Sequence, residues 1–362
     1  MNMALFDERL NKLRAALNKD TAFLVSNEKN IGYFCGFFHS EGYLLVTENE
    51  SVLFVDFRYF EAAEKNSHGC RVVCFTKLFK SIIDELNKEN ISAVAFEASN
   101  MTVEKYSRFK NAFSEHKIEC VCNGTLDSII SDIRIVKDES EIEKIDKAQK
   151  ITEKAYLEVL NCLKPGVTER KISIELEHLI KLFGGEEVSF DLITITGKKT
   201  SLPHGVPSDD IVSEGDFFTF DIGAVYQGYH SDTTRTVAVK SADEEMRKIY
   251  DIVLKAQLAV LDKVKAGAKC SDVDKAARDV IESSGYGKYF GHATGHGVGL
   301  DIHESPVVSP RSETVLKAGM IITDEPGIYI PDKFGVRIED MLCVTDLGYK
   351  NFVDLPKELI IV

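Results

Sequence analysis

The sequence lacks several features that would assign it at once to a class of protein. No apolar run approaches the roughly 20 residues that cross a bilayer. The first residues, MNMALFDERLNKLRAAL, carry charges where an export signal needs an unbroken apolar stretch. The net charge of −14 disfavours a nucleic-acid partner, which needs clustered Lys and Arg. We therefore expect a cytoplasmic protein with no membrane and no nucleic acid as partner.

Two metal-site signatures are also missing. None of the eight cysteines forms a C-x-x-C pair, so a thiolate zinc site has no basis, and no HExxH sequence marks a helix-borne zinc protease. A disulfide framework is typical of small secreted domains, whereas these cysteines are scattered along a long chain. We predict reduced, mostly buried thiols at Cys35, Cys70, Cys74, Cys120, Cys122, Cys162, Cys270 and Cys343.

The length of 362 residues favours two domains. Residues 1–132 alternate between extended runs (TAFLVS, YLLVT, SVLFVD, RVVCF, SAVAFEA) and helical ones (FRYFEAAEK, LFKSIIDELNK, residues 102–113). This alternation predicts an α/β domain with a mixed central sheet. It carries no chemical motif, and its isolated histidines, His39, His68 and His116, are expected at the surface.

The second domain, residues 133–362, starts where the pattern changes. IRIVKDESEIEKIDKAQKITEKAYLEVLNCL predicts one long amphipathic helix, with Ser140 and Glu143 as a capping box at its start. We place the domain boundary just before Ile133. Glycine and histidine are frequent beyond this point.

An internal duplication is visible in the second domain. LKPGVTERKISIELEHLIKLFG and VKAGAKCSDVDKAARDVIESSG share a pattern at an offset of 101 residues, and GDFFTFDIG matches GMIITDEPG at an offset of 104. The second match aligns Asp221 with Glu325. Each half therefore predicts helix, turn, helix and then a strand that ends in an acidic residue followed by glycine.

Acidic residues inside apolar strands are the first chemical signal. Asp221 lies in FFTFDIGAVY, where a carboxylate is desolvated unless a cation compensates. A two-residue turn at 227–228 would place Thr234 opposite Asp221, with Asp232 opposite Gly223. Asp221 and Asp232 would then lie diagonally on one face of the hairpin, close enough to share a cation.

The second half repeats this arrangement. Glu325 is embedded in MIITDEPGIYI, and Glu339 lies in the apolar run FGVRIEDMLCV. Four carboxylates in one cavity could not all ionise unaided, and two divalent cations would remove the conflict. We therefore predict a site for two metal ions.

Histidines supply the remaining signal. GHATGHGVGLDIHESP contains His292, His296 and His303, and the glycines around His296 let backbone segments approach closely. A neutral imidazole beside four carboxylates suits Mn, Co, Fe or Zn. His204, in the Pro/Gly loop SLPHG, is free to point into a cleft.

These motifs resemble those of a known family. DIGAVYQGYHSDTTR, TGHGVGLDIHESP, TDEPGIY and GVRIEDM are similar to the pita-bread metallopeptidases, and within them to the proline-specific branch of Xaa-Pro aminopeptidases and Xaa-Pro dipeptidases (prolidases). The similarity runs from about Ile133 to Val362. Residues 1–132 resemble the creatinase-type N-terminal domain of that branch. The implied fold is an α+β pita-bread catalytic domain with an internal pseudo-two-fold duplication.

The resemblance implies a role for each matching residue. Asp221 and Asp232 would bind the first metal, Asp232 and Glu339 would bridge, and His296 with Glu325 would complete the second site. Further matching positions would contact substrate or stabilise the oxyanion (His204, His303) or support the site (His292, Arg337). From its place opposite Asp221 we add Thr234 to the supporting residues, and Phe190 in VSFDL is our candidate for the wall that recognises the proline ring.

The expected reaction is hydrolysis of the Xaa-Pro bond by a hydroxide that bridges two metal ions, at the N-terminus of peptides or in dipeptides. Glu325 is the candidate proton shuttle. Manganese is the expected metal, with Co, Zn or Fe as options, and a homodimer is implied by the resemblance alone. A catalytically inactive peptide-binding relative and a creatinase-like amidinohydrolase are the alternatives. The extra N-terminal domain disfavours a methionine aminopeptidase.

Overall fold

The computed structural model describes residues 3–38 and 41–362, with the side chain of Met3 left aside, so His39 lies outside the described residues. The chain divides into two compact units, Met1–Arg134 and Ile135–Val362. The sequence placed the boundary just before Ile133. Over the described ranges, no helix has the length and apolar character needed to cross a membrane.

The first unit is built around one mixed sheet. Its helices are α1 Met3–Arg14, α2 Glu28–Cys35, α3 Phe57–Asn66, α4 Leu78–Lys88, α5 Val103–Ser114 and α6 Thr125–Arg134, with a 3-10 turn at Ala98–Asn100. Its strands are β1 Thr21–Val25, β2 Tyr43–Val46, β3 Ser51–Val55, β4 Arg71–Cys74, β5 Ala93–Phe96 and β6 Glu119–Val121. The strand order is β4-β3-β2-β1-β5-β6, and β2 alone runs antiparallel to its neighbours in this sheet.

This unit confirms the predicted mixed sheet. The hairpin expected from YLLVT and SVLFVD pairs Tyr43 with Phe54. Phe96, Phe109 and Phe113 form part of the core between sheet and helices. The prediction missed α2, although its Asn27 cap, whose side chain accepts hydrogen bonds from the backbone amides of residues 29 and 30, is a recognisable start signal.

The cysteines and histidines only partly match expectation. All eight thiols are free, but "mostly buried" is wrong, because only Cys35, Cys270 and Cys343 are buried and Cys74 and Cys162 are exposed. His116 is exposed as predicted, whereas His68 is half-buried and stacks on Phe6 with ring centroids 5.2 Å apart.

The second unit combines four helices, within the described residues, with several small sheets. The helices are α7 Glu139–Val159, α8 Glu169–Leu182, α9 Glu244–Leu261 and α10 Cys270–Ser283, with 3-10 turns at Leu160–Cys162, Gly197–Ser201 and Gly287–Tyr289. The strands are β7 Glu187–Val188, β8 Ile193–Thr196, β9 Phe217–Ile222, β10 Ala224–Tyr226, β11 Tyr229–His230, β12 Thr233–Ala238, β13 Gly295–Gly297, β14 Glu304–Val308, β15 Ile321–Asp324, β16 Gly327–Ile330, β17 Phe334–Arg337, β18 Asp340–Val344 and β19 Tyr349–Asn351. They pair as β12-β9-β8, β11-β10-β7, β14-β13-β15-β18-β19 and β16-β17.

The start of α7 corrects the sequence prediction. One helix was expected from Ile133, but α6 ends at Arg134 and α7 begins separately at Glu139. The capping box is Asp138 with Glu141, not Ser140 with Glu143: each of its side chains accepts the backbone N–H of the other at 3.1 Å. Ser140 instead donates to Asp138 at 2.7 Å, because the aspartate two residues earlier already occupies the cap.

The internal duplication is confirmed in the second unit. Helices α8 and α10 each span 14 residues and begin 101 residues apart. Each follows a glycine with positive φ, Gly166 (φ 93°) and Gly267 (φ 86°), whose amide donates to the carbonyl of Val212 or Leu316. The acidic strands β9 and β15 therefore lie at equivalent places in the two halves.

Candidate metal centre

The first pair of carboxylates lies on the hairpin that the sequence predicted. The turn residues Gln227 (φ 49°) and Gly228 (φ 77°) both have positive φ, as a type I′ turn requires. The register continues into β9 and β12, where Thr234 lies opposite Asp221. Asp232 precedes β12 and is 4% exposed. The predicted pairing is therefore confirmed, and it places both aspartates at the same end of the hairpin.

The second pair of carboxylates, Glu325 and Glu339, lies between two antiparallel strand pairings that have the same register. Asp324 pairs with Asp340, and Gly327 pairs with Arg337, so Glu325 lies across from Glu339 in the gap between these pairs. The amide of Glu339 donates to the carbonyl of Thr234 at 3.1 Å. This bond joins the carboxylate hairpins of the two halves.

His296 is oriented by its backbone. Its amide donates to Thr323 Oγ1 at 3.0 Å, and its Nδ1 lies 3.0 Å from the carbonyl oxygen of Gly297, which fixes the ring hydrogen on Nδ1. The unprotonated Nε2 then points between Asp232 and Glu325, 3.5 Å from one oxygen of each. Burial lowers the pKa of His296 to about 4, so the imidazole is neutral near pH 7.

Glycines around His296 allow this close packing, as the sequence suggested. A Cβ at Gly295 would lie 2.1 Å from the carbonyl oxygen of Thr323, and one at Gly297 would lie 2.3 Å from that of Ser305. Neither backbone oxygen could move without breaking its strand. Any larger residue at either position would displace the imidazole.

The carboxylates of the site crowd one another. Ligand atoms of Asp232, His296 and Glu339 all lie within 4.8 Å of one another. Burial, and then the charge of neighbouring carboxylates, raises the pKa values of Asp232 and Glu339 well above their usual range. Burial raises the pKa of Glu325 to about 8, against the opposing effect of Arg337. Cations that bind to these carboxylates would therefore displace bound protons.

Arg337 connects Asp221 with other residues of the site through hydrogen bonds. Its guanidinium donates to Asp221 Oδ2 at 2.5 Å, to Thr234 Oγ1 at 3.0 Å and to Tyr329 Oη at 2.8 Å. Tyr329 lies 2.9 Å from His292 Nε2, and burial lowers the pKa of His292 to about 4. Since His292 Nδ1 contacts a backbone carbonyl at 2.8 Å, Nε2 accepts the hydrogen bond from Tyr329.

One cavity of about 860 Å³ collects nearly all the residues that the sequence singled out. Thr234 does not line it, but donates to Glu339 Oε2 at 2.6 Å. The rings of His296 and His303 meet edge to face with centroids 4.4 Å apart. The predicted residues that line the cavity are Phe190, His204, Asp221, Asp232, His292, His296, His303, Glu325, Arg337 and Glu339.

Sequence reasoning missed three residues around the site. Tyr329 connects His292 to Arg337, and no pattern marked it. Glu169 is fully buried and accepts hydrogen bonds from the amide of Ser208 and from Lys199, holding both ends of the loop that carries His204. Its place at the start of α8, directly after a threonine cap, was the available signal.

Asp324, beside Glu325, is the third. It is fully buried, and neither of its carboxylate oxygens has a hydrogen-bond partner among the described residues. Burial, and then the charge of Asp340, raises its pKa well above the usual range. Its surroundings therefore favour the protonated form of Asp324 over the carboxylate.

The donor set fits divalent cations. Asp221 Oδ1 is buried and has no hydrogen-bond partner among the described residues, and the buried carboxylates near it need positive charge to ionise together. Carboxylate oxygens with one neutral imidazole nitrogen are ligands that Mn, Co, Fe and Zn accept. The arrangement can therefore hold divalent metal ions.

Comparison with known proteins agrees with this chemistry. The model of metallopeptidase family M24 matches residues 143–346. The chain belongs to metallopeptidase family M24. Residues 9–136 match the model of the creatinase/prolidase N-terminal domain.

Several relatives of this M24 chain match along its whole length. The Xaa-Pro dipeptidase of Pyrococcus furiosus is 39% identical over 98% of this chain and 99% of its own. The structure of the Xaa-Pro dipeptidase from Bacillus anthracis superposes with a TM-score of 0.95 at 38% identity, over 99% of this chain and 100% of that one. The X-Pro aminopeptidase from Thermotoga maritima MSB8 gives 0.88 at 34% identity, over 98% and 99%. Both the pita-bread fold and the creatinase-type N-terminal domain expected from the motifs are confirmed.

Proposed function

We propose that this M24 metallopeptidase hydrolyses the peptide bond between any residue and proline, using two divalent metal ions held by Asp221, Asp232, His296, Glu325 and Glu339. The observation that carries the proposal is the cluster of buried carboxylates around a neutral His296. The choice of the Xaa-Pro bond is supported by relatives named Xaa-Pro dipeptidase and X-Pro aminopeptidase.

The proposed ligands would divide between two metal ions. Asp221 and Asp232 would hold one ion and His296 with Glu325 the other, with Asp232 and Glu339 shared between them. When bound, the ions would lower the pKa of water and polarise the scissile carbonyl. We propose manganese as the resident metal. The neutral Nε2 of His296 is already oriented for this role by the Nδ1 contact with the Gly297 carbonyl.

Glu325 is the proposed proton carrier. Burial raises its pKa to about 8 in the metal-free protein, which supports a role in accepting a proton from water and passing it to the leaving nitrogen. Thr323 Oγ1 lies 3.4 Å from Glu325 Oε1 and restricts its orientation. Proline leaves as a secondary amine, which needs that proton.

The remaining residues would orient the substrate. His204 and His303 line the same cavity and would donate hydrogen bonds to the carbonyl oxygen as it gains charge. The nitrogen of an Xaa-Pro bond carries no hydrogen, so recognition must depend on the shape of the ring. Phe190, which also lines the cavity, would provide an apolar wall for it.

The test is proline release. Purified protein with Mn²⁺ is given Xaa-Pro dipeptides and Xaa-Pro-Xaa tripeptides, with matched peptides that carry alanine in place of proline. We expect cleavage of proline peptides only, loss of activity after chelation and loss in Glu339→Gln, with two metal ions per chain by elemental analysis. If no proline peptide is cleaved while both ions are bound, the proposal is wrong.

A further inference from the structure

The mouth of the cavity is apolar although it is exposed. Ile174 on α8, Val206 in the loop after His204, and Val307 on β14 all line it, with exposed fractions of 62%, 76% and 49%. Val307 pairs with His296 in the strand register, so the apolar lip begins next to a proposed metal ligand. Exposed apolar residues that converge on one cleft mark a surface that binds something apolar.

Cationic side chains around this cavity are already engaged. Among the described residues that line it, the lysine and arginine side chains are Arg170 and Arg337. Arg337 is buried against Asp221. Arg170 Nε donates to Asp209 Oδ1 at 2.8 Å. Of the imidazoles that line the cavity, His204 and His303 are assigned to the scissile carbonyl and His296 to a metal ion, and burial lowers the pKa of His292 to about 4.

The same mouth carries negative charge. Glu177 and Asp191 are exposed acidic residues that line the cavity. Glu177 is paired with Lys181, whose Nζ lies 2.7 Å from Glu177 Oε1, so Asp191, which directly follows Phe190, is the residue that adds negative charge here. Two divalent ions would balance the charge of the four ligand carboxylates, and the remaining positive charge, that of Arg337, is buried beside Asp221. The field at the mouth therefore favours the α-ammonium group of a substrate and disfavours a carboxylate.

A dipeptide would place a carboxylate in this setting. In Xaa-Pro the carboxylate is bonded to the proline Cα, next to the scissile nitrogen, so it must enter the cavity with the ring. Burying a carboxylate without a cationic partner is costly. A peptide that continues past proline has a neutral amide at that place and an additional side chain that can pack on the apolar lip.

We infer that the enzyme prefers peptides that continue beyond proline, and that Val307 with its acidic and apolar neighbours at the mouth determines this preference. The inference rests on the proposed Xaa-Pro hydrolysis. It assigns the chain the substrate class of an aminopeptidase, with an apolar residue favoured after proline.

A capped substrate tests the inference with little change in size. The values of kcat/KM are measured for Ala-Pro, Ala-Pro-NH₂, Ala-Pro-Leu and Ala-Pro-Asp. We expect Ala-Pro-NH₂ to exceed Ala-Pro by about tenfold or more, which corresponds to about 1.4 kcal/mol, and Ala-Pro-Leu to exceed Ala-Pro-Asp. Equal or faster cleavage of Ala-Pro would overturn the inference. Failure to cleave all four would instead refute the proposed function.

A charge introduced at the lip provides the matched variant. In Val307→Lys the ratio of Ala-Pro-NH₂ to Ala-Pro should fall several-fold, because the ammonium group can pair with the carboxylate. The ratio is taken within one variant, so a general loss of activity does not affect it. Leu347→Lys, at a 96% exposed position that does not line the cavity, is the control and should keep the original ratio. An unchanged ratio in Val307→Lys would show that Val307 does not determine the preference and would contradict the inference.

Binding gives a second readout that needs no turnover. Calorimetric titration of the metal-loaded protein compares proline with prolinamide, the products of the two substrates. Prolinamide should bind more tightly to the original protein, and the difference should shrink in Val307→Lys. Tighter binding of proline to the original protein would show a carboxylate site and contradict the inference.

Discussion

Arg337 and Asp221 form a buried ion pair in which the guanidinium donates to Oδ2 at 2.5 Å, while Oδ1 has no hydrogen-bond partner among the described residues. Arg337 thus holds Oδ2 of the aspartate in place, whereas Oδ1 is available to bind a metal ion. The same guanidinium reaches Thr234 and Tyr329, so Asp221 is positioned by residues of both halves of the catalytic unit.

Arg337→Lys should weaken metal binding at Asp221. Lysine keeps the charge but cannot donate along several directions at once, so Asp221 and Tyr329 lose their common partner. We expect metal affinity or activity to fall about 10- to 100-fold, measured by calorimetric titration and peptide hydrolysis. Arg58→Lys, at an exposed arginine paired with Asp56, is the control and should change neither quantity.

Thr234→Val should disturb Glu339 without removing a metal ligand. The Thr234 hydroxyl donates to Glu339 and accepts from Arg337 Nε, and its loss leaves a buried donor unsatisfied at a cost of about 1–3 kcal/mol. A lower unfolding temperature and weaker metal binding should follow. Thr234→Ser retains the hydroxyl and should restore both, and equal behaviour of the two variants would contradict this role.

Metal binding should release protons, and more at lower pH. The raised pKa values of Asp232, Glu339 and Glu325 (about 8) mean that the metal-free site binds protons at pH 7 that the metal must displace. Affinity should therefore increase as pH rises from 6 to 9. Calorimetry in buffers of different ionisation enthalpy counts the released protons, and a count of zero at pH 7 would contradict this prediction.

Glu169→Gln should loosen the loop that carries His204. The carboxylate of Glu169 accepts from Lys199, from the amide of Ser208 and from the amide of Thr196. Glutamine keeps the size but loses charge-assisted bonds, so we expect a lower unfolding temperature and a fall in kcat larger than the change in KM. Glu158→Gln, on an exposed part of α7, should leave both unchanged.

Asp127→Asn should lower the stability of the first unit in a pH-dependent way. Burial raises the Asp127 pKa, but hydrogen bonds from Ser99 and the amide of Ala98 outweigh it and hold that pKa below its usual range. A depressed pKa contributes stability that is present above about pH 4 and lost as pH falls through the folded-state value. The gap in unfolding temperature between the two proteins should therefore close on acidification.

The sequence predicted those parts of the site that depend on local patterns. Asp221 and Asp232 could be paired because a two-residue turn fixes the register between their strands. Their counterparts Glu325 and Glu339 followed from the duplication. Tyr329 could not be predicted, because its contacts with His292 and Arg337 depend on how separate strands meet in space.

Errors arose where several residues compete for one local role. Asp138 and Ser140 can both cap a helix, and only the path of the chain after α6 decides between them. The burial of the cysteines failed for a similar reason, because hydrophobicity alone does not state which edge of a sheet faces solvent. Cys74, on the edge strand β4, is exposed for this reason.

Because of the internal duplication, the second unit cannot be divided between its two repeats without separating the proposed metal ligands. Asp221 and Asp232 come from the earlier repeat, and His296, Glu325 and Glu339 from the later one, with the Glu339 amide bonded to the Thr234 carbonyl across them. A polypeptide cut in the exposed segment near Lys240 would leave each fragment with an incomplete set of ligands. Hydrolysis should therefore be absent from either fragment and return only when the two are refolded together.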